Sequence, residues 1–102
     1  MQLAEFLDSI EVESEPNAEI SAELQALWWS KKGNWVKAHE LAQDAGGQEG
    51  DWVHAYLHRQ EGDLGNASYW YSRAGRSMPS EELGEEWHTM VLELIRSQWK
   101  SF

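Results

Sequence analysis

Residues 27–45 read LWWSKKGNWVKAHELAQDA, and residues 55–74 read AYLHRQEGDLGNASYWYSRA. A shift of 29 residues lays Gly33 on Gly62, Trp35 on Leu64, Ala38 on Ala67 and Ala45 on Ala74 without a gap. Two copies of one unit at such a period, each with a central glycine, are the mark of stacked helical hairpins. The glycine lets the first helix end in a left-handed turn. The Asn34 or Asp63 that follows suits the cap of the next helix. An alanine early in the second helix lets the two helices approach closely, and an aromatic beside it fills the remaining space.

The same turn chemistry divides the rest of the chain. Pro16-Asn17 precedes a periodic run that ends at Lys32, Gly46-Gly47 and Gly50-Asp51 bracket a loop, and Met78-Pro79-Ser80 marks another stop. The spacing predicts helices over about 18–31, 34–45, 51–61, 64–75 and 80–99. A short helix over 2–10 precedes them, with EVESEPN (11–17) as a flexible joint. No segment alternates with period two, so no strand is expected.

At about 100° per residue each helix has a readable face. Trp35, Ala38, Leu41, Ala42 and Ala45 share one in the second helix of the first unit, and Leu64, Ala67, Trp70, Tyr71 and Ala74 share the matching one in the second unit. The run 18–31 is apolar on two sides, with Ile20, Leu24 and Leu27 on one and Ala22, Ala26 and Trp29 on the other, so it is expected between neighbours. In 80–99, Leu83, Trp87, Met90, Val91 and Leu94 line up, with Glu82, Glu86 and Glu93 turned away and Glu81 and Glu82 in the favoured first turn.

The second unit resembles the tetratricopeptide repeat, because Gly62-Asp63, Ala67, Tyr71, Ala74 and Pro79 match that repeat's glycine, small, aromatic, small and proline positions. The first keeps Trp29, Gly33, Ala38 and Ala45, with Ala42 in place of the aromatic and Gly50 in place of the proline. The resemblance implies an all-α array of two stacked hairpins, about 19–47 and 51–79, with residues 2–10 as an N-terminal helix and about 80–100 as a long C-terminal capping helix. The stretch HAYLHRQEGDLGNASYWYSRAG (54–75) is also similar to a string found in a small uncharacterised microbial protein family, which implies no activity.

Length and charge bound the function. One hundred and two residues make one domain, 1–102. The net charge of −10 repels polyanions, which argues against nucleic acid and anionic membranes as partners. No apolar run reaches membrane-spanning length, and the first residues lack the basic flank of a signal peptide. The chain has no cysteine, which removes disulfides, thiolate metal sites and a thiol nucleophile and fits a cytoplasmic location. The acids crowd the ends: residues 1–30 carry seven and no Lys or Arg, whereas 31–80 carry six charges of each sign and three of the four histidines. A site is therefore expected in the balanced middle.

One helix there breaks the packing rule. In DWVHAYLHRQE (51–61), Asp51, His54, His58 and Glu61 share a face that the repeat register turns toward the following helix. Polar groups placed in such an interface need partners. Three arrangements provide them. The first is a buried hydrogen-bonded cluster, with Asp51 and Glu61 orienting the imidazoles and the hydroxyl of Tyr69 or Tyr71 completing the network. The second is a polar pocket for a ligand or peptide end, walled by Trp52, Tyr56, Arg59 and Trp70. The third is a divalent-metal site, because histidines at i, i+4 chelate from one helix, with Asp51, Glu61 or His39 as a further ligand. His39 opens His39-Glu40-Leu41-Ala42-Gln43, which lacks the second histidine of a metalloprotease motif and otherwise reads as a half-buried histidine. His88, beside Ile95 and Trp99 on the last helix, reads as packing.

The chain has no glycine-rich phosphate loop and no nucleophile elbow, so a non-enzymatic role without a fixed cofactor is expected. The aromatic surplus points to a concave face that binds a protein or peptide segment through Trp52, Tyr56, Arg59, Trp70 and Arg73. Arg59, Arg73 and Arg76 could grip a carboxylate there or pair with the chain's own acids. The alternatives are a small-molecule or metal-binding protein built on Asp51, His54 and His58, and a homodimer that covers the same stripe.

Overall fold

The two hairpin turns form as their local sequences dictate. Gly33 (φ 96°) and Gly62 (φ 87°) take the left-handed conformation. The Asn34 side chain then accepts the Lys37 N–H at 3.1 Å, and the Asp63 side chain accepts the Asn66 N–H at 3.2 Å. The computed structural model describes residues 2–99, which form six helices and no strand: α1 (Leu3–Val12), α2 (Ala22–Lys32), α3 (Trp35–Ala45), α4 (Gly47–Gln60), α5 (Leu64–Arg73) and α6 (Leu83–Trp99). No helix among the described residues is long and apolar enough to cross a membrane.

Helix α2 pairs with α3, α4 pairs with α5, and α3 lies against α4. Helix α6 packs on α2 and α4 together, and α1 bridges α2 and α6. As a result α2 is buried on both sides, through Leu24, Leu27, Ala26 and Trp28. Small residues set the close approach within each hairpin: Ala38 and Ala42 of α3 and Ala67 of α5 are buried. The indoles bring hydrogen-bond donors into this core, and those of Trp87 and Trp28 find acceptors there. Trp87 Nε1–H donates to the Leu27 carbonyl at 2.9 Å, and Trp28 Nε1–H donates to Ser9 Oγ at 2.9 Å. Phe6 of α1 packs its ring on Trp87, with centroids 6.1 Å apart.

The structure departs from the sequence reading at four places. Helix α4 starts at Gly47, so the expected loop up to Asp51 is only the tight turn at Gly46 and Gly47. Gly50 marks a close approach instead: a Cβ there would sit 3.3 Å from the Ala42 carbonyl oxygen and from Ala45 Cβ. Helix α6 starts at Leu83, and its first-turn acids are Glu85 and Glu86. Glu86, expected to face away, is buried because it pairs with Arg59 of α4. Leu64, expected on the apolar face of α5, is 55% exposed at the helix start.

The tight packing at Gly50 makes a prediction. Gly50→Val gains helix propensity, but its side chain meets backbone atoms that have little room to move. A net loss of about 2 kcal/mol is expected in urea denaturation.

Candidate functional site

Three histidines from two helices meet at the α3–α4 junction. His54 and His58 lie one turn apart on α4, and His39 comes from α3. His39 precedes Gly46 by seven residues and His54 follows Gly47 by seven, so the tight turn sets them opposite each other. One ligand nitrogen from each ring lies within 4.8 Å of the others. His39 Nε2 and His54 Nε2 are 2.9 Å apart, a hydrogen bond in which one imidazole donates and the other accepts.

Aromatic rings fix this cluster in place. His54 stacks on Trp70 at 3.9 Å between centroids and 16° between planes, and His39 stacks on Trp35 at 4.8 Å and 12°. Trp35 is itself held, because its Nε1–H donates to the Leu57 carbonyl at 2.8 Å. His54 and His58 are 5% and 7% exposed, and His39 is half-buried. Burial, and then the neighbouring His39 and His58, push the pKa of His54 down to about 4. Burial and His58 push His39 down as well. His39 and His54 are therefore neutral near pH 7, the state in which imidazole nitrogen offers a lone pair to a metal. The Glu61 carboxylate stands 2.8 Å from His58 Nδ1.

The other residues read as candidates go elsewhere. Asp51 does not join the histidines, because Arg73 Nε–H donates to its carboxylate at 3.5 Å. Neither tyrosine completes the network: Tyr71 donates its hydroxyl to Glu86 at 2.5 Å, and Tyr69 accepts from Arg73 at 3.3 Å. Burial, and then Glu86, raise the pKa of Tyr71 above the usual tyrosine range. Trp52 and Tyr56 are core residues, 5% and 3% exposed, although an edge of Trp52 borders surface cavities beside Arg76. Their burial comes from α6, which packs across α2 and α4. Arg59 turns to this helix as well, donating to Glu86 Oε1 at 2.7 Å and to the Glu81 carbonyl. Arg76 lies over the Trp52 ring at 3.4 Å and reaches Glu93 at 3.0 Å. Of the five expected partner-binding residues, Arg73 is exposed and Trp70 and Arg59 are half-buried, with the Arg73 guanidinium 5.0 Å from the Trp70 indole centroid. His88 is exposed on α6, not packed. The side chain of Trp99, expected beside it, lies outside the described residues.

The sequence reads His39 as a half-buried histidine at the margin of its helix, yet its imidazole completes the cluster. A second group, His58, Glu61 and Asp63, also brings ligand atoms within 4.8 Å of one another. Both Asp63 oxygens are already engaged, however, by the backbone N–H and the side-chain amide of Asn66 at 3.2 and 3.3 Å. No protein-family model matches this chain, no curated protein matches it in sequence, and no solved structure matches it.

Proposed function

We propose that this protein binds a divalent transition-metal ion through His39, His54 and His58, on a scaffold of two tetratricopeptide-like hairpins. The observation that supports this reading is the convergence of three imidazoles, from two helices, in an interface that helix packing would otherwise fill with apolar side chains. Two nitrogens on a tetrahedral ion stand roughly 3.3 Å apart, given zinc–nitrogen bonds of about 2.0–2.1 Å. The 2.9 Å separation of His39 and His54 therefore needs only a small spread. Three nitrogen donors without a thiolate suit zinc, copper(II), nickel or cobalt over magnesium or calcium. A set of three leaves a fourth position for water or a further ligand.

Melting curves with added ions test the proposal. Zinc or copper(II) in large excess over Kd is expected to raise the melting temperature, with about 2.7 kcal/mol of stabilisation at a hundredfold excess. Magnesium is expected to leave it unchanged, and the zinc shift is expected to vanish in His54→Ala. A melting temperature that none of the four transition metals moves would sink the proposal.

A further inference from the structure

We infer that Glu61 is the positioning residue of this metal centre: its carboxylate holds Nδ1–H of His58, which leaves Nε2 of that ring as the ligand nitrogen. The inference rests on the reading that the three histidines bind a metal. The 2.8 Å contact between Glu61 Oε1 and His58 Nδ1 carries it. A carboxylate that accepts from the outer nitrogen of a ligand histidine fixes the tautomer and the ring orientation, and strengthens the ligand.

Glu61 stands where a helix would not choose an acid. It is the C-cap of α4, at the negative end of the helix dipole. The first unit supplies a contrast from the same chain. Twenty-nine residues earlier, Trp29 stands in place of His58 and Lys32 in place of Glu61. Helix α2, which has no histidine, ends with a base, and helix α4, which has His58 at the matching position, ends with an acid. The backbone keeps Glu61 in place, because its N–H donates to the Leu57 carbonyl at 3.1 Å and the Gly62 and Asp63 N–H groups close the turn onto Arg59 and His58.

The experiment is zinc titration of the full chain and its Glu61→Ala and Glu61→Gln variants, with nitrogen NMR of the His58 ring in the metal-free proteins. Glu61→Ala is expected to weaken zinc binding 10–100-fold, and Glu61→Gln, which keeps an acceptor oxygen, by less. In the wild type, Nδ1 is expected to carry the proton of His58, and the other tautomer is expected to gain population in Glu61→Ala. Zinc affinity and tautomer both unchanged in Glu61→Ala, in a protein whose wild type binds zinc through its histidines, would overturn the positioning role alone. Two zinc ions per wild-type chain, one of them lost with Glu61, would overturn it by making Glu61 a direct ligand. A wild type that takes up no zinc would overturn the metal reading and this inference together.

Discussion

Glu86→Ala is expected to destabilise the fold by about 3–5 kcal/mol, the usual cost of removing one partner of a buried ion pair. The Glu86 and Arg59 side chains are 3% and 14% exposed and meet at 2.7 Å. Tyr71 donates its hydroxyl to the other carboxylate oxygen. The variant takes the ionic partner from the Arg59 guanidinium, which keeps the Glu81 carbonyl, and takes the carboxylate acceptor from Tyr71. A domain of this size holds only about 5–15 kcal/mol in total, so a large fraction of its stability rests on one carboxylate. Tyr71→Phe removes a single hydrogen bond to a charged group and is expected to cost about 1.5–3 kcal/mol. Replacing Arg59 and Glu86 together by Met and Leu is expected to recover most of the loss, because no charge is then left unpaired. Urea denaturation decides the matter. A loss below about 1 kcal/mol for Glu86→Ala, as for a surface pair, would contradict this reading of the α4–α6 contact.

The second large effect is acid sensitivity. His54 has its pKa pushed from an ordinary 6.5 down to about 4 in the folded chain. Between these values the unfolded chain binds a proton at His54 that the folded chain does not. Stability therefore falls as pH drops below the unfolded value, and the loss is complete once pH passes the folded one. The shift corresponds to about 3 kcal/mol lost across that window. His39 is shifted in the same direction and adds to the loss. In His54→Phe, which can keep a ring against Trp70, stability of the metal-free protein is expected to decline less steeply between about pH 6.5 and 4.5. Denaturation midpoints measured across this range check it, and equal slopes for the variant and the wild type would contradict it.

The parts of the molecule that could be read from sequence are those fixed within a few residues. Gly33-Asn34 and Gly62-Asp63 each supply a left-handed residue and a cap, and both turns lie where the residues put them. The apolar stripe of the last helix was also legible, because Trp87, Met90, Val91 and Leu94 follow its period and are buried. What the sequence hid depends on which helices meet. Glu86 looks outward on a wheel drawn for α6 alone, and only the approach of Arg59 from α4 turns it into a core group. Trp52 and Tyr56 looked like a binding face because nothing local says that α6 covers α4. Gly50 reads as a loop residue until the closeness of Ala42 and Ala45 explains it. The misplaced loop also hid His39. With the turn set at Gly46 and Gly47 alone, His39 and His54 are equidistant from it, and the three-histidine cluster follows.

X-ray absorption at the edge of the bound ion, on protein loaded with one equivalent of zinc, tests the three-histidine centre most directly. The expected result is a shell containing three imidazole nitrogens at about 2.0–2.1 Å, reduced in His39→Ala. An all-oxygen shell, unchanged in that variant, would mean that zinc sits on surface carboxylates and that the histidines are packing groups.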